Sequence, residues 1–134
     1  MSFLLGTNTC SAFLKHRRGL QHRFNQHSGR LHIPTIVLGE LYTWAYRRRD
    51  PKPTLDAIEI ELLPHVKVLT FDSLCARTFG KTHAEMLSKG HSIEGIDLEI
   101  ASVALVHDLQ LVTHNSSDFR HVPKLRITDW LTAS

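Results

Sequence analysis

Short apolar runs alternate with longer amphipathic segments along the chain, and this alternation is the feature that most limits its possible folds. The apolar runs are too short for helices and have the length of buried strands. We expect strands at 3–5, 31–33, 66–69, 109–113 and 125–127. Because helices between strands favour right-handed crossovers, the sequence predicts an α/β fold, a three-layer α/β/α sandwich around a central, mostly parallel sheet of four to five strands.

The amphipathic segments between these strands predict helices that are bounded by capping side chains, proline and glycine. We expect helices at 10–15, 20–26, 36–49, 55–63, 74–88 and 97–107, and loops at 91–96 and 114–118. The predicted helix caps are Thr7–Thr9, Thr35, Thr54 and either Asp72 or Ser73.

The composition restricts the class of protein. Of 134 residues, 42% are hydrophobic and 22% are charged, so we expect one globular domain over residues 1–134 rather than a disordered chain. No apolar run approaches the ~20 residues that cross a bilayer, and the short apolar N-terminal stretch lacks the basic residues of a signal peptide. We expect a cytoplasmic protein without membrane contact, in which Cys10 and Cys75 are free, buried thiols.

The charge balance permits a polyanionic partner but does not require one. The 16 Lys and Arg exceed the 13 Asp and Glu, which gives a net charge of +3. Arg47, Arg48 and Arg49 form the densest basic run and are candidate contacts for RNA phosphates, with a solvated helix end as the alternative. A second basic cluster consists of His16, Arg17, Arg18, His22 and Arg23.

Three acidic residues, Glu40, Asp97 and Asp118, stand beside apolar residues. Ligand sites of parallel sheets lie beyond the carboxyl ends of the strands, and we expect all three acids at that edge. Carboxylates that converge there hold a cation or shift their pKa values, and Mg²⁺ and Mn²⁺ prefer such oxygen ligands. The pattern favours metal-assisted hydrolysis of a phosphodiester. Separately, Asp97 could be a helix cap, Glu40 an exposed helix residue and Asp118 a turn cap.

The chain resembles the PIN-domain ribonucleases, specifically the VapC-type toxins of bacterial toxin–antitoxin pairs. Four blocks in the right order carry the resemblance over nearly the whole chain. They are Leu4-Leu5-Gly6-Thr7-Asn8-Thr9-Cys10-Ser11, Ile33-Pro34 with Glu40-Leu41-Tyr42, Phe79-Gly80 with Gly95-Ile96-Asp97-Leu98-Glu99-Ile100-Ala101 and Ala104-Leu105, and Leu111-Val112-Thr113-His114-Asn115 with Asp118-Phe119.

The resemblance implies a site with an acid in each block, in which Glu40, Asp97 and Asp118 hold Mg²⁺ or Mn²⁺ and activate water. The first block departs from the family pattern Asp-Thr-Asn, because Gly6 stands where the first metal-binding carboxylate would be. The implied supporting residues, which would orient carboxylates or metal-bound water, are Thr7, Asn8, Thr113 and Asn115. For Asn8 a helix cap is the alternative role, and Glu99 and His114 are weaker candidates for the chemistry.

The function that the resemblance implies is that of the toxin subunit of a type II toxin–antitoxin pair, a Mg²⁺-dependent endoribonuclease impaired by Gly6. It also implies a VapB-like protein antitoxin, a homodimer or a toxin–antitoxin hetero-oligomer, and contact with operator DNA only through the antitoxin. The alternative is a catalytically inactive PIN-like module that binds antitoxin or RNA. Gly6 itself has three possible origins, namely deliberate inactivation, escape from toxicity during cloning, and natural degeneration. A phosphate-accepting receiver-like domain is disfavoured, because its lysine after a late strand and its paired acid at the first strand are missing.

Overall fold

A five-stranded sheet forms the centre of the molecule in a computed structural model that describes residues 1–132. The strands lie in the order β3-β2-β1-β4-β5, and every neighbouring pair is parallel. Their bounds are β1 Phe3–Leu5, β2 Leu31–Pro34, β3 Lys67–Leu69, β4 Gln110–Val112 and β5 Ile127–Thr128. The predicted α/β fold is confirmed, although β5 begins two residues later than expected.

The helices fall into two groups along the chain, those that precede β3 and those that follow it. The first group, α1 Thr7–Leu14, α2 Leu20–Gln26, α3 Thr35–Tyr46 and α4 Lys52–Asp56, accompanies β1 to β3. The second, α5 Ser73–Ser88 and α6 Gly95–Val106, connects β3 back across to β4, and the short α7 Ser116–Phe119 follows. Because crossovers between parallel strands are right-handed as a rule, the reversal of strand order after β3 is expected to put the two groups on opposite faces. No helix within residues 1–132 is long and apolar enough to cross a bilayer.

The predicted helix at 55–63 is wrong in its form and bounds. The segment begins as α4, widens into a π-helical turn over Ala57–Leu62 and tightens into a 3₁₀ turn over Leu63–His65. Pro64 has no amide hydrogen, so the regular hydrogen-bond ladder of a helix cannot continue through it, although Leu63 before it keeps α-helical angles, φ −57° and ψ −33°. Thr54 accordingly lies inside α4 rather than at its cap.

Several predicted helix starts are also displaced. Helices α1 and α3 begin directly after their strands, with Gly6 and Pro34 at the cap positions and no side-chain capping bond, so Thr7–Thr9 and Thr35 lie inside the helices. Helix α6 begins at Gly95, within the predicted loop 91–96, and α7 occupies part of the predicted loop 114–118. The Asp72 cap is confirmed, since its Oδ1 accepts a hydrogen bond from the Cys75 amide at 3.0 Å.

An aromatic cluster links α1, α2 and the C-terminal segment. Phe24 is fully buried and stacks on Phe13, with ring centroids 3.8 Å apart. Trp130 meets Phe24 edge to face at 6.4 Å and also packs on Phe3 of β1. The segment after β5 is thereby attached to the core. Elsewhere in the core, Cys10 and Cys75 are buried free thiols, as the sequence predicts.

The substitution Phe24→Ala removes the centre of this cluster. We expect it to lower the free energy of unfolding by about 3–5 kcal/mol, because a buried aromatic ring leaves a cavity that neighbours fill only partly. Urea denaturation followed by fluorescence measures the change. Tyr46→Ala, at a ring that is 67% exposed, is the control and should cost less than about 0.5 kcal/mol. Equal losses in the two variants would contradict the prediction.

Candidate active site

The carboxyl ends of β1, β2 and β4 open into a cavity of about 170 Å³, which we call the acid cavity. Polar residues that follow these strands form its walls, and the apolar side chains of Ile100, Leu111 and Phe119 complete it. The polar lining residues are Thr7, Asn8, Glu40, Asp97, Thr113, His114 and Asn115, and Gly6 adds only backbone. The structure therefore brings most of the residues singled out in the sequence to one edge of the sheet, as expected for a parallel sheet.

Thr7 and Glu40 connect the first turn of α1 to the middle of α3. The Thr7 hydroxyl donates a hydrogen bond of 2.6 Å to Glu40 Oε1. Glu40 is half-buried, so it is not an exposed helix residue, and this bond fixes one of its carboxylate oxygens at the cavity wall. Thr7 thus supports a carboxylate, which is one of the two roles that the resemblance implies for it.

Asp97 is the electrostatic centre of the site. It lies in the first turn of α6, half-buried. Burial raises the pKa of its carboxyl group, and the negative charges of Asp118, Glu40 and Glu94 raise it further. Four carboxyl groups from three helices and one helix cap therefore interact at this edge, and Asp97 carries the largest share of their repulsion.

Asp118 lies on α7 and does not line the acid cavity. It faces an adjoining cleft of about 770 Å³, which we call the side cleft. Asp97 lines both spaces, so it joins Glu40 on one side to Asp118 on the other. The three acids predicted from the sequence are close enough to interact electrostatically, but they are distributed over two connected spaces rather than one.

Position 6 lies in the wall of the acid cavity and contributes no ligand atom. The Gly6 backbone angles, φ −79° and ψ 169°, are accessible to any residue. A β-carbon built there lies 3.2 Å from the carbonyl oxygen of Val112, which would have to yield by a few tenths of an ångström. A side chain at position 6 therefore suits the backbone angles but requires a small shift of the Val112 carbonyl, which also accepts the Gly6 amide hydrogen bond at 2.9 Å.

The donor chemistry of the site suits a hard divalent cation, but its geometry is incomplete for one. The available groups are carboxylate and hydroxyl oxygens, the ligands that Mg²⁺ and Mn²⁺ prefer. Within residues 1–132, no three His, Cys, Asp or Glu side chains lie close enough together to hold a metal ion. A carboxylate at position 6 would add an oxygen ligand between Thr7 and Val112.

The loop after β4 is organised by its own side chains. Thr113 Oγ1 accepts a hydrogen bond of 3.0 Å from the Asn115 amide, so this hydroxyl shapes the loop. His114 Nδ1 donates to Asp129 Oδ2 at 3.1 Å. Partial burial acts to raise the pKa of Asp129, but hydrogen bonds from Thr132, Leu131 and His114 outweigh it and hold that pKa below its ordinary value.

Asp129 and Glu94 take part in the site, although the sequence analysis missed both. Asp129 follows β5 and reaches the site only because β5 pairs with β4. Glu94 is the cap residue of α6 and adds to the charge around Asp97. The Gly90–Gly95 stretch before the apolar helix was the one sequence signal for Glu94, since helix caps gather at such boundaries.

Arg47, Arg48 and Arg49 lie outside both spaces. They follow the last turn of α3, seven to nine residues after Glu40, which corresponds to about 10–14 Å along a helix axis. All three are exposed, and the Arg48 guanidinium lies over the Trp44 ring, 5.7 Å from its centroid. Contact between these residues and RNA stays a prediction, because none of the three lines either space.

The comparisons with known proteins agree with this fold. Residues 3–125 match the PIN domain, and the chain belongs to the PIN domain family. Among curated proteins, it is 33% identical to the tRNA(fMet)-specific endonuclease VapC of Salmonella typhimurium, over 97% of this chain and 98% of that protein. It is 32% identical to ribonuclease VapC2 of Haemophilus influenzae, over 98% and 99% of the two chains.

The chain is also similar to solved structures of VapBC complexes. The DNA-bound VapBC of Salmonella typhimurium superposes with a TM-score of 0.89 at 33% identity, over 97% of this chain and 98% of that one. The VapBC2 of Rickettsia felis, bound to a DNA fragment from its promoter, gives a TM-score of 0.89 at 28% identity, over 97% and 99%. The family resemblance stated from the sequence is confirmed.

The raised pKa of Asp97 predicts how its replacement changes stability with pH. Between the ordinary Asp pKa and the raised one, the folded chain binds more protons than the unfolded chain, so its stability falls as the pH rises through this window. Without added metal, Asp97→Asn should therefore raise the free energy of unfolding at pH 7, by up to about 1 kcal/mol. The gain should disappear as the pH approaches 4, and thermal unfolding over a pH series measures it.

Asp50→Asn is the matched control, because it removes the same charge at an exposed position outside the site. An equal stabilisation by both substitutions would show that net charge, rather than local repulsion at Asp97, is responsible.

Proposed function

We propose that the chain is the toxin subunit of a type II toxin–antitoxin pair and a metal-dependent endoribonuclease whose activity is limited by Gly6. The observation that carries this proposal is the placement of Glu40 and Asp97 in one cavity at the carboxyl edge of the sheet, with Asp118 in the cleft that Asp97 shares. The names of its relatives, VapC ribonucleases and endonucleases, support the same activity. Carboxylates that repel one another at a cleft cost stability and are typical of functional sites.

In this proposal the three acids together bind a cation. Glu40, Asp97 and Asp118 would hold Mg²⁺ or Mn²⁺, and such an ion, when bound, polarises a phosphodiester and makes water more acidic. Thr7 holds Glu40 in one orientation through its hydroxyl.

The supporting residues of the proposal orient the substrate. Asn8, His114 and Asn115 line the acid cavity and present polar groups to an RNA backbone. Thr113 keeps the loop of Asn115 in place. Apolar Ile100 and Phe119 exclude water from one side of the cavity, which strengthens the electrostatic interactions within it.

The proposed substrate is RNA, and initiator transfer RNA is the first one to test. Two relatives, 33% and 31% identical, carry the name tRNA(fMet)-specific endonuclease. The proposed partner is a VapB-like antitoxin, since several structural neighbours are VapBC complexes. Two of those complexes contain DNA, which supports operator contact through the antitoxin, and a homodimer of this chain completes the proposed assembly.

The substitution Gly6→Asp tests the activity directly. The added carboxylate supplies an oxygen ligand in the wall of the acid cavity, so Mg²⁺-dependent cleavage of initiator transfer RNA should increase at least ~100-fold, equivalent to about 2.7 kcal/mol of transition-state stabilisation. Gel analysis of single-turnover cleavage at saturating Mg²⁺ measures the rate.

Gly6→Asn is the control for this test, because it has the same size and the same contact with Val112 but lacks the charge. It should stay as slow as the unchanged chain. If Gly6→Asp is no faster than Gly6→Asn, the assignment of the site is contradicted and the alternative, an inactive module that binds antitoxin or RNA, is favoured. The feature that supports this alternative is Gly6 itself.

Metal binding gives a second measurement that needs no substrate. A cation that binds only the folded chain raises its stability by about 1.4 kcal/mol at ten times its Kd. We expect Mg²⁺ to raise the Tm of Gly6→Asp more than that of the unchanged chain. In the double variant Gly6→Asp with Asp97→Asn, most of this increase in Tm should be lost. A Tm rise that is the same in all three proteins would point to binding elsewhere.

A further inference from the structure

The side cleft has an acidic wall and a basic, aromatic wall, and the proposed cleavage chemistry uses only the first. Glu94, Asp97 and Asp118 form the acidic side. The other side contains His91, Arg120 and His121, which neither the sequence analysis nor the proposed function assigns. A cleft of about 770 Å³ is of the size that holds a small organic ligand.

Two segments far apart in sequence meet at the basic wall. His91 lies in the loop before α6, and His121 follows α7. Their imidazole rings stack with centroids 3.8 Å apart and planes inclined by only 6°. This contact joins the segment that leads to Asp97 to the segment that carries Asp118, so it bridges the cleft beside both acids.

Arg120 is oriented by the same pair of rings. Its Nε donates a hydrogen bond of 3.1 Å to His121 Nε2. Because this bond uses only the Nε hydrogen, both terminal NH₂ groups can still bind a phosphate. Partial desolvation and the charges of His91 and Arg120 hold the pKa of His121 below its ordinary value, and its ring offers a flat face for stacking.

We propose that the side cleft binds the nucleotide next to the cleaved phosphodiester of a single-stranded RNA, with Arg120 on its phosphate and the His91–His121 pair against its base. The inference rests on the proposed function, because Asp97, shared by both spaces, places the cleft beside the cleavage site. The acidic wall repels a phosphate, so the phosphate approaches on the Arg120 side. Stacking on flat rings accepts any base, which suits a position that contributes affinity rather than sequence readout.

The test measures binding rather than cleavage. Fluorescence anisotropy of a labelled single-stranded RNA is recorded over a series of salt concentrations for the unchanged chain, Arg120→Ala and His91→Ala. Arg120→Ala should weaken binding and reduce the slope of log affinity against log salt by about 0.7, because one phosphate contact is lost. His91→Ala should weaken binding about 5-fold or more at an unchanged slope, because stacking releases no counterions.

Two further variants separate the loss of a specific contact with RNA from the loss of positive charge alone. Arg77→Ala removes the same charge from the exposed side of α5 and should change the affinity by less than about 2-fold, since distant charges are screened. His121→Gln keeps an acceptor for Arg120 but removes the ring, so it should behave as His91→Ala does. Thermal unfolding confirms that each variant is folded.

Three results would overturn the inference: no measurable binding of RNA by the unchanged chain, full affinity in Arg120→Ala, or the same loss in Arg77→Ala. The outcome is independent of the nuclease test. A chain that binds RNA through Arg120 while Gly6→Asp remains inactive would uphold the side cleft and contradict the proposed activity.

Discussion

The parallel pairing of β1 with β2 on one side and β4 on the other determines where every polar group of the site lies. Leu4 and Leu5 of β1 are fully buried, so the central strand has a single register that satisfies the core. The ladder continues past the strand ends, since the Gly6 amide donates to the Val112 carbonyl at 2.9 Å and the Thr113 amide to Thr128 at 2.9 Å. The starts of α1 and of the loop after β4 are therefore fixed against each other.

This rigid edge carries a cost in electrostatic free energy. Asp97 sits half-buried near three other carboxyl groups, and its pKa is raised first by burial and then by the repulsion of those groups. The Thr7 hydroxyl offsets part of the cost at Glu40 by a short hydrogen bond. The apolar core gains nothing from these charges, and such a convergence of perturbed carboxyl groups is typical of functional sites.

The sequence predicts what is local and misses what depends on tertiary contact. The strands follow from the apolar runs, and the rule that sites lie at the carboxyl edge places Glu40 and Asp97 in the acid cavity but not Asp118, which lines the side cleft. Thr7 satisfied a capping pattern, but its hydroxyl bonds to Glu40, 33 residues away, which no local pattern indicates. The His114–Asp129 and His91–His121 contacts likewise depend on which strands and loops become neighbours.

Gly6 illustrates how chemistry and scaffold can change independently. Glycine is needed where φ is positive, as at Gly19 with φ 87° or Gly90 with φ 76°, but Gly6 has ordinary angles and one close contact at its β-carbon position. In the proposed function, glycine at this position leaves out one ligand atom and one source of repulsion, while the sheet edge, α3 and the side cleft do not depend on it. The surfaces proposed to bind RNA or an antitoxin lie on those elements, so the proposal separates binding from cleavage at a single residue.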